Sequence, residues 1–118
     1  MQTVLAVDDS ETMRQMVKMT LQAGKYNVIL ASDGEEALHT FLSTTGVDLV
    51  VTDINMPKLD GIGLIKAIRE RNKDVPILAL TTESEDSMRK KGAEAGANGW
   101  MTKPFKPAQF IEVVKRIL

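Results

Sequence analysis

The residues able to do chemistry are few and mostly acidic. Asp8 and Asp9 stand side by side after a short apolar run, and Asp53 follows a second such run. Thr81 and Lys103 each close a further one. Three carboxylates brought together repel one another, so either one keeps a proton or a cation compensates. Hard oxygen ligands in a partly open site favour Mg²⁺, which keeps several waters and shares itself with a phosphate. Mg²⁺ and Lys103 together offset the three carboxylates. A phosphoryl group on Asp53, carrying about −2, leaves a small negative excess that needs both cations. Asp53 then reads as a nucleophile of the kind that forms an aspartyl-phosphate. Mg²⁺ and Lys103 neutralise the transferring group, and the Thr81 hydroxyl is placed to donate a hydrogen bond to a phosphoryl oxygen. Asp9 and Asp53 are the main metal ligands, with Asp8 close by or acting through water.

These residues meet only if the elements before them lie side by side. Thr3–Val7 is rich in β-branched and apolar residues and predicts a strand. Met13, Met16, Val17 and Leu21 repeat with helical spacing until Gly24 stops them. A second strand is predicted over Tyr26–Ala31. Asp33 caps the next helix, Glu36 reaches back, and Ala37, Leu38, Phe41 and Leu42 form its buried stripe. Leu49–Thr52 is a third strand running into Asp53. A loop with Pro57 and Gly61 leads to a helix with Ile62, Ile65 and Ile68 inward. Pro76–Leu80 is a fourth strand ending at Thr81. The helix from about Ser84 to Ala95 is weakly patterned and carries Gly92. Gly99–Thr102 is a short fifth strand. Pro107 suits the first turn of a last helix, with Phe110, Val113, Val114 and Ile117 as its core stripe. Strands alternating with helices in this way predict an α/β fold, a doubly wound five-stranded parallel sheet with five helices on its two faces. Sites in such sheets form outside the carboxyl ends of the strands, where all five polar residues fall.

Taken singly, each residue has a blander reading. An Asp-Asp pair before a helix is often a cap. Asp-x-Asn-x-Pro is often a turn, a strand-ending Thr a satisfied surface group, and a Lys before Pro solvated. Convergence of separate β/α units on one sheet edge argues against that reading.

Composition narrows the classes further. The 118 residues suit one domain, residues 1–118, with 43 % apolar and 26 % charged residues. A formal net charge of −1 gives no electrostatic reason to expect nucleic acid. With no cysteine, disulfides and thiol chemistry are excluded, which fits a cytoplasmic location. No apolar run approaches the ~18 residues of a membrane helix, and the first residues do not read as a secretion signal. His39 has no companion histidine and reads as a surface residue.

The stretches VLAVDDSETMR, LVVTDINMPKLDGI, PILALTTE and WMTKPF resemble response-regulator receiver domains, and the resemblance covers essentially the whole chain. It looks most like the single-domain chemotaxis regulators of the CheY type. It implies the strand order 2-1-3-4-5, of which regulators of this type are themselves the stock example. It implies a metal-holding acidic pair at Asp8 and Asp9, phosphorylation of Asp53 by a sensor histidine kinase, and a metal ligand in the backbone carbonyl of Asn55. It also implies a switch hydroxyl at Thr81, a phosphoryl-binding Lys103 and a cis Lys103–Pro104 bond. The resemblance further implies that Asn55 and Glu83 tune phosphoryl lifetime, and this pair resembles that of fast-turnover regulators. The switch aromatic falls at Trp100, where relatives often carry tyrosine or phenylalanine.

No DNA-binding or catalytic domain follows Leu118 in this sequence, so unless the chain is a piece of something larger the expected output is partner binding by a monomer, through the face of helix 4, strand 5 and helix 5. The expected partners are a chemotaxis-type kinase, a flagellar motor switch protein and a phosphatase. The catalysis is confined to phosphoryl transfer onto itself and its removal, so the chain is not an enzyme acting on other molecules. The alternative is a phosphate sink or relay receiver in another two-component pathway. A flavodoxin-like cofactor carrier is disfavoured because Asp8-Asp9-Ser10 would repel a phosphate without a metal. A phosphatase acting on other molecules is disfavoured because Asn55 stands where a second Asp would be needed.

Overall fold

The computed structural model describes residues 1–56, 58–82 and 86–118, with the backbone alone for 86–89. Strands and helices alternate along the chain as β1 (Thr3–Val7), α1 (Glu11–Ala23), β2 (Asn27–Ala31), α2 (Gly34–Ser43) and β3 (Val47–Asp53). They continue as α3 (Gly61–Arg69), β4 (Ile77–Thr81), α4 (Asp86–Ala95), β5 (Gly99–Thr102) and α5 (Pro107–Ile117). The strands form one parallel sheet in the order β2-β1-β3-β4-β5.

Alternation of side chains along each strand sorts the core into two layers. Leu5, Val7, Val50, Ile77 and Ala79 face α2, α3 and α4, where Ala37, Phe41, Leu64, Ile65, Ile68 and Ala95 meet them. Val4, Ala6, Leu49, Val51, Leu78 and Leu80 face α1 and α5, packing on Val17, Leu21, Phe110 and Val114. Both faces of the central strands are thus covered, which is why they read as continuous apolar runs.

Several element edges differ from the sequence expectation. Strand β2 begins at Asn27 rather than Tyr26. The Tyr26 N–H is spent on the Leu21 carbonyl at the end of α1, 3.1 Å away, and Lys25 before it turns with φ of 68°. Strand β3 runs from Val47 through Asp53, because pairing with β1 starts at Thr3↔Val47 and Asp53 pairs with Leu80. Strand β4 starts at Ile77 and includes Thr81. Pro76, lacking an N–H, contributes only its carbonyl to Val50. The proposed start of the fourth helix at Ser84 lies outside the described residues, as does Pro57.

Leu42 is not part of a buried stripe; it is 49 % exposed. It sits in the last turn of α2, where the half-buried side of the helix opens into a groove with Thr44, Thr45 and Arg71. Nor does Glu36 complete a reciprocal cap. Asp33 accepts the Glu36 N–H at 2.8 Å, but the Glu36 carboxylate accepts from the Ser32 hydroxyl at 2.9 Å. His39 is exposed, as expected.

Candidate functional site

The sheet delivers its polar residues to one edge. Strand β1 ends at Val7, and the next residue, Asp8, is 4 % exposed. Its position is fixed from several sides. Its N–H donates to the Ala31 carbonyl of β2 at 3.2 Å. One carboxylate oxygen accepts the Ser10 N–H at 2.9 Å, and the other accepts from Lys103 Nζ at 2.9 Å. Arg14, one turn into α1, donates from Nη1 to the Asp8 carbonyl at 2.8 Å. Ser10 in turn caps α1 by accepting the Met13 N–H. Asp9, between two such fixed residues, is exposed.

Asp53 is the last residue of β3 and is 6 % exposed. Its carbonyl accepts from the Thr52 hydroxyl at 2.9 Å. The loop after it returns so closely that a Cβ on Gly61 would lie 2.2 Å from the Asp53 carbonyl oxygen. Gly61 is glycine because backbone passes against backbone here, and its N–H donates to the Ile54 carbonyl at 2.8 Å. Lys103 follows β5, with its N–H on the Thr81 carbonyl at 2.6 Å and a cis bond to Pro104, as expected. Its Nζ lies between two carboxylates, 2.9 Å from Asp8 and 3.2 Å from Asp53. Thr81 is fully buried and stands one residue beyond Leu80, the partner of Asp53.

The electrostatics follow from one ammonium serving two carboxylates. Burial pushes the Asp53 carboxyl up, the Asp8 charge adds to this, and Lys103 only partly opposes it. Burial alone would push Lys103 down, but Asp8 and Asp53 hold its proton and raise it instead. A salt bridge would ordinarily lower the acid. Here the ammonium is shared, so the acid stays poorly compensated. Carboxylate oxygens of Asp8, Asp9 and Asp53 all lie within 4.8 Å of one another. That is an all-oxygen donor set with unbalanced negative charge, and it fits a hard divalent cation such as Mg²⁺.

The structure therefore brings together Asp8, Asp9, Asp53, Thr81 and Lys103. Asn55 is exposed two residues past Asp53, at the rim of the cluster. Glu83 lies outside the described residues. Trp100 is not in the cluster. It sits two residues before Thr102, opposite Ala79, and packs into the α2–α3–α4 side of the core. Thr81 is two residues past Ala79, so Thr81 and Trp100 project to the same face of the sheet. Sequence reasoning missed Arg14 and the close approach at Gly61. An Arg four residues past a capping Ser was a readable signal for the first, whereas nothing in the sequence separates a crowding glycine from an ordinary loop glycine. A groove of about 440 Å³, lined by Met19, Ala23 and Ile111 among others, lies between α1 and α5, away from these groups.

The chain belongs to the response regulator receiver domain family, whose model matches residues 4–115. It is accordingly a receiver domain of two-component signalling. Its fold is that of chemotaxis protein CheY4 of Vibrio cholerae, with 42 % identity and a TM-score of 0.95 over 100 % of this chain and 99 % of that one. TrrA of Thermotoga maritima, solved in complex with Mg(2+)-BeF, matches with 35 % identity and a TM-score of 0.91 over the whole of both chains. The alkaline phosphatase synthesis transcriptional regulatory protein PhoP of Bacillus subtilis is 44 % identical over 115 residues, 98 % of this chain and 48 % of PhoP. The chain spans about half the length of the curated relatives it matches.

Proposed function

We propose that Asp53 accepts a phosphoryl group from a histidine kinase and that residues 1–118 act as one phosphorylation-controlled switch. The observation that carries this is Lys103 Nζ held between Asp8 and Asp53 at the acidic end of the sheet. Asp9, Asp53 and the Asn55 carbonyl are the residues that would hold Mg²⁺, with Asp8 behind them. Bound there, it supplies charge neutralisation for phosphoryl oxygens. An Asp53 carboxylate oxygen forms the new bond to phosphorus as the bond to the donor's imidazole nitrogen breaks. Lys103, kept charged by its carboxylates, offsets the charge that gathers on the phosphoryl oxygens. Thr81 follows the phosphoryl group with its hydroxyl, and the receiver-domain pattern assigns tuning of its later removal by water to Asn55 and to Glu83, the latter outside the described residues.

The output is a change in partner binding at the face of α4, β5 and α5, with Trp100 changing rotamer. The whole-length likeness to CheY4 supports chemotaxis, with a flagellar motor switch protein as target and cytoplasmic action. A second reading is favoured by curated relatives about twice as long, several of them, PhoP included, named as transcriptional regulators: this chain would then serve as the receiver part of such a regulator. A sink or relay role remains the alternative among single receivers.

Acetyl phosphate and Mg²⁺ test the core of the proposal. The expected result is a reversible gain of one phosphoryl mass in the wild type and none in Asp53→Asn. Modification that persists in Asp53→Asn would overturn the assignment. Affinity capture with the beryllofluoride-loaded protein then separates a motor protein from transcription machinery.

A further inference from the structure

We infer that Gly92 and Trp100 are a size-matched pair, and that the notch glycine leaves in α4 sets whether the indole can pack under that helix. Gly92 is buried in the second half of α4. No positive φ requires glycine there. A glycine in a helix interior is unfavourable by about fivefold in the folding equilibrium relative to alanine, so its presence needs a packing reason. The reason is on the ring. A Cβ at position 92 would lie 2.5 Å from Trp100 Cζ3 and 2.9 Å from Cε3. These atoms belong to a rigid bicycle with only two side-chain torsions. It cannot yield locally and would have to turn as a whole, or the helix would have to lift.

The same ring is opposed from another atom. Trp100 Nε1 is shut off from solvent and has no hydrogen-bond acceptor among the described residues. A buried donor without an acceptor works against the conformation that buries it. Packing of the six-membered ring into the notch holds Trp100 in, while an N–H with no acceptor among the described residues favours its leaving. A cavity of about 150 Å³ lined by Ala93, Ala97, Asn98, Gly99 and Trp100 leaves room beside the ring. The two opposed terms poise the side chain, and they tie its position to that of α4. Its use in signalling rests on the switch reading above; the pairing itself does not.

The test is Gly92→Ala in the full chain, first without phosphorylation. In the wild-type background the expected result is a red-shifted Trp100 emission, greater acrylamide quenching, and loss of folding stability in urea. In a Trp100→Leu background the same substitution is expected to stabilise by about fivefold in the folding equilibrium, the ordinary gain of alanine over glycine. That reversal of sign is the signature of the pair, and it is read equally well if Gly92→Ala alone fails to fold and Trp100→Leu restores it. A stabilising Gly92→Ala with unchanged emission in the wild-type background would overturn the inference. Acetyl phosphate and Mg²⁺ are then added to the wild type, with modification followed by mass. Phosphorylation without any change in Trp100 emission would sink the rotamer reading, while the comparison made before phosphorylation still decides the pairing.

Discussion

Gly61→Ala is the sharpest test of how the acceptor residue is held. The added Cβ would sit 2.2 Å from the Asp53 carbonyl oxygen, 2.6 Å from Ile54 Cα and 3.0 Å from the Asp53 carbonyl carbon. Ordinary contact begins near 3.4 Å, so the loop must open by about 1 Å. Every colliding atom is backbone, and none can move aside by changing rotamer. Overpacking of this kind costs about 1–3 kcal/mol, and fixed neighbours on two sides place it near 3. For a domain of this size that is a fall in Tm of about 12 °C. The oxygen that is pushed belongs to the nucleophile's own residue, so the carboxylate shifts with it. A displacement of about 1 Å lowers the phosphorylation rate by one to two orders of magnitude. Gly46→Ala is the control. That glycine has φ of 82° but open space around it, so only backbone strain of about 1–2 kcal/mol applies, with phosphorylation unchanged. Urea midpoints and acetyl-phosphate kinetics on both variants decide the matter. If Gly61→Ala were within about 0.5 kcal/mol of wild type, or milder than Gly46→Ala, crowding would not be the reason for that glycine.

Other expectations follow from the same geometry. Asp53 has a raised pKa, so the native state favours its protonated form; stability contributed by the neutral acid is present below the ordinary value of 3.8 and is lost as pH rises through the raised one. Asp53→Asn should therefore raise the urea midpoint of the metal-free protein at pH 7 and leave it nearly unchanged at pH 3.5; an equal gain at both would point to packing instead. Mg²⁺ at a hundred times its dissociation constant should stabilise the wild type by about 2.7 kcal/mol. Asp9→Ala should remove most of that gain, as read by thermal melts with and without the metal. Arg69 donates to the Gly96 carbonyl at 3.0 Å, to the Asn72 carbonyl at 3.1 Å and to Asn98 Oδ1 at 2.7 Å. Arg69→Ala should cost about 2 kcal/mol and speed hydrogen exchange at the α4–β5 turn before anywhere else.

The sheet and its cluster were legible because the central strands β1, β3 and β4 are largely buried and run into or end at Asp8, Asp53 and Thr81. Asp8, Asp53, Thr81 and Lys103 needed no tertiary information to be placed at the same edge. Strand ends were less legible, since they depend on partners. Asp53 joins β3 only because Leu80 is there to pair with it. Leu42 misled because helical spacing says which side of α2 a residue occupies but not where the covering layer stops. Gly61 and Gly92 act through contacts seven or eight positions away, across a loop into a neighbouring element, and spacing within one element cannot show these. The bulk of Trp100 was visible as an unusual choice, whereas the glycine that accommodates it became visible only when α4 was laid against β5.

The bond from Lys103 to Asp8 joins residues 95 positions apart. Residues following the first and the last strand therefore have to meet before the acidic cluster has its lysine. Closing so large a loop is slow compared with forming any one helix. At a synthesis rate of roughly 5–20 residues per second, Asp53 is made about 3–10 seconds before Lys103. During that interval the acceptor carboxylate has neither its ammonium nor the β4–β5 edge behind it. If Asp53 is the acceptor as proposed, competence for phosphorylation is a property of the finished sheet, and a kinase meeting a nascent or proteolytically shortened chain would find the carboxylate without its lysine.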